Sequence, residues 1–257
     1  MPSTVQHPVL WQFRYSHYNE KARWALDFKR IAHVRRSVLP GPHAPRMLWL
    51  TGQKAVPVLL VDGKAIPDST RIIEAAERLQ PVPPLYPRDE AERQRALKLE
   101  DFFDEELGPY LRRAWFFETL SDPNFCAAQL ATGASRSAQR VFRLAFPAIA
   151  AVMKADMKIT AEGAATGRAK IAAALDRIEA ELQPSGYLVG DHFTVADLTA
   201  AALFSPIVMP AEFPYPLITP LPAAAATLRA ELASRSGFKW VTEIYRRHRG
   251  TSAEVSR

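Results

Sequence analysis

Cysteine is almost missing from this chain, which has one, Cys126, among 257 residues. A single cysteine excludes a disulfide within the chain and a zinc site that needs several cysteines. Disulfides are rare in the reducing cytoplasm, so this cysteine usage fits a cytoplasmic protein. We therefore expect a cytoplasmic location.

Long apolar segments are also missing. No apolar run approaches the roughly 20 residues that a membrane helix needs. Residues 1–8 contain neither the basic segment nor the apolar segment of a secretory signal. The composition, 48% hydrophobic and 23% charged, is that of an ordinary globular protein. We expect no membrane partner.

Acidic residues are fewer than basic ones: 27 Asp and Glu against 33 Lys and Arg give a formal charge of +6. This charge suits an anionic ligand. Recognition of nucleic acid would need basic residues clustered on one face among aromatic ones. The dense basic runs are short, at 33–36 and 246–249, and we interpret the second as a solvated helix end followed by a frayed tail. We expect no nucleic-acid partner.

The first third of the chain alternates strand-like and helix-like segments. The predicted strands are 9–13, 34–39, 58–61 and 64–66, and the predicted helices are 19–30, 47–50 and 69–79. Asp62-Gly63 predicts a two-residue hairpin turn, and Asp68 or Ser69 predicts the cap of the helix that follows. A strand–helix–strand unit followed by a hairpin and a helix predicts a small mixed sheet covered by helices.

Proline marks a boundary after this unit. Residues 80–87 hold four prolines, a density that stops a helix and stiffens the chain. We therefore predict a first domain over 7–80, a linker over 81–87 and a second domain over 88–250. Apolar residues at helical spacing predict that the second domain is all-helical.

Three further sites in the second domain predict interruptions. Gly108-Pro109 is expected to bend a helix, and Pro147 to kink or end another. Six prolines between Pro206 and Pro222 predict an extended loop. Thr194-x-x-Asp197 is a capping-box variant and predicts a helix start with a structural role.

Three short motifs in the first domain carry the chemical information. Ser16 follows a strand-like run directly and opens a helix, whose first N–H groups are unpaired and attract anions. A serine at this place can donate a hydrogen bond to a thiolate. The second motif is Val56-Pro57, and the third is Asp68-Ser69 at the next helix start.

Together these motifs resemble the N-terminal, thioredoxin-like domain of cytosolic glutathione transferases of the Ser-type, bacterial-like kind. Residues 188–198 resemble the helix-start signature of that family's second domain. The resemblance covers most of the chain, with a loose match in the middle. It implies an α/β thioredoxin-like N-terminal domain, an all-α helical bundle after it, and a homodimer.

The resemblance also implies a role for each motif. Ser16 would hold the thiolate of glutathione, a co-substrate, and Val56 would pair through its backbone with the tripeptide, with a cis peptide at Pro57. Asp68 and Ser69 would hold the γ-glutamyl end. Gln53 and Lys54 would contact the other end, although a solvated loop explains these two residues equally well. No metal is needed.

The thiol chemistry sets the energy that such a site must supply. A free cysteine thiol has a pKa of about 8.5, so only a few per cent of glutathione is thiolate at neutral pH. Lowering that pKa by about two units takes roughly 2.7 kcal/mol of preferential thiolate stabilisation. One hydroxyl donor and a helix N-terminus supply energy of this order, since a hydrogen bond to a charged group contributes about 1.5–3 kcal/mol.

Two neighbours of Ser16 are alternatives. Tyr15 is a rival hydroxyl, because many family members use tyrosine, although a tyrosine at a strand end is more often packed. His17 stands where relatives often have proline; we expect a partly exposed turn residue, with a base or a contact to the glycyl carboxylate as alternatives. Relatives that exchange disulfides carry cysteine at the positions of Ser16 and Asn19, so this chain is not expected to do so.

The acceptor pocket is expected on the first long helix of the second domain, where relatives build it. Its candidate residues are Tyr110, Arg113 and Trp115, with Phe116 and Phe117 beside them, and a plain aromatic core is the alternative. The function implied is transfer of glutathione to a small hydrophobic electrophile. The alternatives are another glutathione-dependent enzyme (isomerase, dehalogenase or peroxidase) and a non-catalytic binding or regulatory module.

Overall fold

The computed structural model describes residues 6–256. Its first part is a mixed four-stranded sheet of order β2-β1-β3-β4, in which β1 and β2 are parallel and the other pairs are antiparallel. The strands are β1 (Val9–Gln12), β2 (Val34–Ser37), β3 (Val58–Val61) and β4 (Lys64–Pro67). The helices are α1 (His17–Phe28), α2 (Ala44–Thr51) and α3 (Ser69–Leu79). This confirms the predicted α/β thioredoxin-like unit.

Local sequence explains the hairpin and the helix after it. Asp62 and Gly63 both have positive φ, 48° and 77°, as a tight hairpin turn requires. The Asp68 carboxylate caps α3 by accepting hydrogen bonds from the N–H groups of Thr70 (2.9 Å) and Arg71 (3.3 Å). Both features are those that the sequence predicted.

The second part is all-helical, as predicted. Its helices are α4 (Glu90–Phe102), α5 (Gly108–Thr119), α6 (Pro123–Leu130), α7 (Arg136–Asp156), α8 (Ala161–Glu181), α9 (Val195–Val208), α10 (Ala223–Leu232) and α11 (Ser236–His248). A π-helical turn, Phe103–Leu107, joins α4 to α5 just before Gly108-Pro109. The helix is therefore interrupted just before Gly108-Pro109 by a π-helical turn, while the predicted bend stays a prediction.

Helix α9 lies at the centre of the largest core. Thr194 and Asp197 form the predicted capping box: the Thr194 N–H and hydroxyl both donate to the Asp197 carboxylate, at 2.8 and 2.9 Å. Burial raises the pKa of Asp197 to about 6. Pro206 lies inside α9 rather than in a loop, which corrects the predicted start of the proline-rich loop; the irregular segment is 209–222. Helix α7 continues through Pro147.

The C-terminal basic run does not end in solvent, and that prediction was wrong. Arg249 is 2% exposed; its Nε donates to Glu20 Oε1 at 2.6 Å and an Nη donates to Asp27 Oδ2 at 2.9 Å. Beyond it, the Ala253 carbonyl accepts from the N–H of His33 at 3.3 Å. The tail is therefore fixed to the first domain by ion pairs with α1.

A second buried ion pair joins the two parts. Lys21 on α1 and Glu100 on α4 are both buried, with Nζ and Oε1 2.9 Å apart, and the same ammonium donates to Thr70 Oγ1 on α3 at 2.8 Å. Three helices from both parts thus meet at one cation. Within residues 6–256, no helix is both long enough and apolar enough to cross a membrane.

Candidate functional site

Sheet topology brings the three sequence motifs to one end of the first domain. Strand β3 runs antiparallel to both β1 and β4, so the start of β3 lies beside the ends of the other two. Ser16 follows the end of β1, Val56-Pro57 precedes β3, and Asp68 follows β4. Residues far apart in sequence therefore meet at the sheet edge where α1 begins.

Ser16 is the N-cap of α1. Its backbone is extended (φ −91°, ψ 128°), and its Oγ accepts from the N–H of Asn19 at 3.5 Å. Because the oxygen accepts this bond, the hydroxyl proton stays available to a ligand. The side chain is half-buried at a helix N-terminus, where the unpaired N–H groups favour negative charge.

Asn19 fixes the two backbone segments next to Ser16. Its side-chain oxygen accepts from the N–H of Phe13 at 3.3 Å, and its side-chain nitrogen donates to the carbonyl of Val56, also at 3.3 Å. The peptide bond between Val56 and Pro57 is cis. In the sequence analysis, Asn19 was only a position where relatives that exchange disulfides carry cysteine. Its positioning role was missed, and the sequence carries no local signal for it.

A mostly apolar cavity of about 620 Å³ opens beside Ser16, between the sheet end and helices α5 and α7. Six of the predicted site residues line it: Tyr15, Ser16, His17, Lys54, Val56 and Trp115. The other six predicted residues do not belong to its lining within the described chain: Gln53, Pro57, Asp68, Ser69, Tyr110 and Arg113. The cavity thus combines Ser16, which was predicted to hold a thiolate, with part of the predicted acceptor helix.

The residues of the Asp68-Ser69 motif lie near the same sheet end but outside the cavity. Asp68 is exposed with φ 75°, a left-handed conformation that costs free energy for a residue other than glycine. Ser69 is 3% exposed in the first turn of α3. Gln53 is exposed, and Pro57 is buried.

Tyr110 and Arg113 lie on a different face of α5 from Trp115. Arg113 Nε donates to the Met157 carbonyl at 3.0 Å, and its guanidinium lies 5.1 Å from the centre of the Tyr110 ring. These contacts fix α5 against the connection between α7 and α8. The structure therefore does not bring these two predicted pocket residues to the cavity.

His17 is buried, only 3% exposed, which corrects the expected partly exposed turn residue. Burial, and to a smaller extent the positive charge of Arg112, lowers the pKa of His17 to about 3. The imidazole is therefore neutral at pH 7 and carries no charge for a carboxylate. Its Nε2 is buried without a hydrogen-bond partner among residues 6–256.

The Tyr15 hydroxyl is engaged elsewhere. It donates to the Pro216 carbonyl at 2.5 Å, and the Tyr15 ring stacks on Phe213 with centroids 6.0 Å apart. Burial raises the pKa of Tyr15. These contacts join Tyr15 to the proline-rich loop. Of the two neighbouring hydroxyls, the Tyr15 hydroxyl already has an acceptor, whereas the Ser16 hydroxyl has none among residues 6–256.

The helical wall of the cavity comes from α5 and α7. On α5, Arg112, Trp115 and Phe116 share one face, and α7 adds apolar side chains such as Ile149 and Val152. Arg112 was not identified from the sequence as a site residue. The spacing could have shown it, because a residue three positions before Trp115 lies on the same helix face. An exposed ion pair also joins the sheet side of the cavity to α7: Lys54 Nζ lies 3.2 Å from Asp156 Oδ1.

Comparison with known families defines the class of protein. Residues 10–84 match the family model of the glutathione S-transferase N-terminal domain, and residues 90–247 match that of the C-terminal domain. The chain therefore belongs to the glutathione S-transferase family.

Individual relatives are more distant. FtsZ-localized protein A of Caulobacter vibrioides (strain NA1000 / CB15N) is 26% identical over 226 residues, which cover 86% of this chain and 84% of that protein. A glutathione S-transferase from Rhodospirillum rubrum F11 superposes with a TM-score of 0.54 at 23% identity, over 91% of each chain. A theta class glutathione S-transferase from Xanthomonas axonopodis pv. citri, with glutathione bound, gives 0.57 at 18% identity, over 97% of this chain and 100% of that one. The last two similarities show the fold.

Proposed function

We propose that this protein is a glutathione transferase that joins the sulfur of glutathione to a small hydrophobic electrophile. One observation carries the proposal: Ser16 caps α1 at the rim of a mostly apolar cavity of about 620 Å³, whose far wall is helical. The thiolate sits at the anion-attracting helix end, and the electrophile occupies the apolar space.

The reaction follows from this arrangement. The thiol gives its proton to water, and Ser16 donates a hydrogen bond to the thiolate, which the N-terminus of α1 also stabilises. The sulfur then attacks the electrophilic carbon, and the leaving group departs with the bonding electron pair or, in an addition, a proton is taken up. Holding both reactants in one cavity adds a proximity contribution.

The sheet end supplies the glutathione-binding site in this proposal. The backbone of Val56, held by Asn19, pairs with the peptide of the ligand, while Asp68 and Ser69 receive the γ-glutamyl end. Lys54, with Gln53 beside it, receives the glycyl carboxylate, which then competes with Asp156 for the ammonium. The left-handed backbone of Asp68 supports a binding role, because such conformations cluster at functional sites.

Assembly and location belong to the same proposal. We assign the glutathione-binding domain to 7–80, the linker to 81–87 and the acceptor domain to 88–250, in a cytoplasmic homodimer. Trp49 and Leu48 on α2 are 82% and 50% exposed, and contact with a second copy would cover them. Sedimentation of the wild-type protein and of Trp49→Ala tests the dimer: the variant should dissociate at a higher protein concentration.

A conjugation assay tests the activity. Wild-type protein with glutathione and chlorodinitrobenzene should form the thioether faster than the uncatalysed reaction. A rate equal to the uncatalysed one, repeated with alkyl halide and epoxide acceptors, would contradict the transferase proposal.

A binding module is the second candidate function, and the similarity to FtsZ-localized protein A favours it. That relative is named for its localisation with FtsZ, and the present chain spans 84% of its length. Co-sedimentation with FtsZ polymers tests this candidate. Recovery of the chain with the polymer, together with absent conjugation, would favour the binding module over the transferase.

A further inference from the structure

We propose that Arg112 forms an anion subsite in the cavity, and that the acceptor substrate is an apolar electrophile bearing a carboxylate or a similar negative group. The inference rests on the proposed transferase function and names the substrate class of that same cavity. Arg112 is an unpaired cation, the other charged side chains of the cavity have partners, and Arg112 lies on the helical wall, away from Lys54 and Val56.

Arg112 lines the cavity without an acceptor of its own. Its Nε is buried and has no hydrogen-bond partner among residues 6–256, and its guanidinium makes no ion pair within that range. A buried donor without a partner costs free energy, and it costs more when the group is charged. A ligand that supplies a carboxylate would remove this cost, and a guanidinium binds a carboxylate through two parallel hydrogen bonds.

The other charged side chains of the cavity already have partners. Lys54 pairs with Asp156, the one carboxylate in the lining within the described chain. Arg14 donates from Nε to Ser37 Oγ at 3.1 Å and stacks on Tyr215. Arg112 is thus the cation in this lining that lacks a counter-charge or a stacking partner.

The position of Arg112 points to the acceptor rather than to glutathione. It projects from α5 beside Trp115, on the helical wall, whereas Lys54 and Val56 lie on the opposite, sheet-side wall. In the proposed glutathione-binding site, the two carboxylates of glutathione lie on the sheet side. The Arg112 guanidinium is therefore available to the acceptor substrate, and Trp115 and Ile149 provide an apolar surface for the apolar part of that substrate.

His17 adds a neutral hydrogen-bonding group at the same place. It is buried, its Nε2 has no partner in the described chain, and the charge of Arg112 reaches it. A neutral imidazole at this place adds no charge to that of Arg112. One cation in a mostly apolar cavity suits a singly charged organic acid.

Equilibrium binding tests the subsite without relying on catalysis. The matched probes are para-nitrobenzoate and para-nitrobenzamide, which have similar shapes and differ by one charge. Calorimetry on the full chain should show the benzoate binding about tenfold more tightly, a preference worth about 1.4 kcal/mol. Arg112→Gln should abolish the preference, and Arg112→Lys should restore part of it.

Arg113→Gln is the control, because Arg113 is the neighbouring guanidinium and is held outside the cavity by Met157. This variant should keep the preference for benzoate. Equal binding of the two probes by the wild type, binding of neither, or an equal loss of both in Arg112→Gln would overturn the proposal.

Conjugation kinetics separate this inference from the proposed function. Arg112→Gln should raise KM for chlorodinitrobenzoate about tenfold more than it raises KM for neutral chlorodinitrobenzene, while Arg113→Gln should leave the ratio of the two KM values as in the wild type. Conjugation of both acceptors without a preference would contradict the subsite and leave the transferase intact. A retained benzoate preference without any conjugation would contradict the transferase and leave the subsite. A fall in kcat for both acceptors, with a raised pKa of the bound thiol, would show that Arg112 serves the thiolate and would overturn the subsite.

Discussion

The side-chain amide of Asn19 donates a hydrogen bond to the carbonyl of Val56 at 3.3 Å and so joins the first turn of α1 to the residue before the cis proline. The same side chain accepts from the N–H of Phe13 at 3.3 Å. One buried residue thus sets the distance between the helix end proposed to hold the thiolate and the backbone proposed to pair with the peptide.

Asn19→Ala should weaken glutathione binding about tenfold, because loss of one such hydrogen bond costs about 1–3 kcal/mol and frees Val56 to move. Titration calorimetry measures the dissociation constant. Asn124→Ala is the control, since Asn124 is an exposed asparagine in the first turn of another helix. An unchanged dissociation constant in Asn19→Ala would remove Asn19 from the positioning of the ligand.

Ser16→Ala should lower turnover about 100-fold with little change in glutathione affinity, because the hydroxyl acts on the thiolate. Steady-state kinetics measure both quantities. Ser135→Ala is the matched control: Ser135 caps α7 by accepting from the Ala138 N–H at 3.3 Å, so its loss removes a cap away from the cavity. Both variants should lose about 0.5–2 kcal/mol of stability. Equal turnover in the two variants would refute the thiolate role.

Arg249→Ala should lower the free energy of unfolding by about 3–5 kcal/mol, because it leaves the Glu20 and Asp27 carboxylates short of a buried partner. Urea unfolding measures this change. Arg246→Ala, three residues earlier, removes an exposed ion pair with Glu243 and should change stability little. A small effect at Arg249 would mean that the tail does not hold the first domain.

Stability should fall in acid partly through Asp27. Burial alone would raise the pKa of Asp27, but the guanidinium groups of Arg35 and Arg249 hold it below its ordinary value of 3.8. The ionised carboxylate therefore adds stability above pH 3.8, and this contribution is lost as the pH falls from there through the lower pKa of the folded state.

Asp27→Asn cannot ionise and should lack that part of the pH dependence. The variant should be less stable than the wild type at pH 7, and the gap should narrow progressively as the pH falls below about 4. Urea unfolding at a series of pH values measures the gap. If it stays constant down to about pH 2, the ion pairs with Arg35 and Arg249 do not lower the pKa of Asp27.

Features that depend on residues close together in the sequence were predictable. The Asp62-Gly63 turn, the Asp68 cap and the capping box of Thr194 and Asp197 all depend on residues within four positions of each other, and the structure contains each one. Periodic apolar residues likewise predicted the helical second part. Local chemistry determines these elements, so a local pattern suffices.

Features set by distant residues were not predictable. Arg249 looked like a solvated helix end because its partners, Glu20 and Asp27, lie more than 200 positions away. His17 looked like a turn residue because nothing nearby showed that it would be buried. Pro206 was assigned to a loop, yet the buried surroundings of α9 keep the helix intact around it. Tertiary packing decides these cases.

Some residues of the candidate site were likewise predictable from the sequence, and others were not. The resemblance to a family supplied Ser16 and Val56, which the sheet topology places together at the cavity. It did not supply Asn19 or Arg112, whose roles depend on contacts across the fold rather than on a motif. Tyr110 and Arg113 were predicted to line the pocket because they lie on the same helix as Trp115. They lie on a different face of that helix and outside the cavity.

The most direct test of the central claim is the pKa of glutathione's thiol when bound, followed by the ultraviolet absorbance of the thiolate across a pH series. We predict that the bound thiol titrates about two units below the free thiol, which corresponds to roughly 2.7 kcal/mol of thiolate stabilisation. Ser16→Ala should return the pKa most of the way towards its value in solution. Glutathione that binds with an unshifted thiol pKa, or does not bind, would contradict the account of this cavity as a thiolate-activating site.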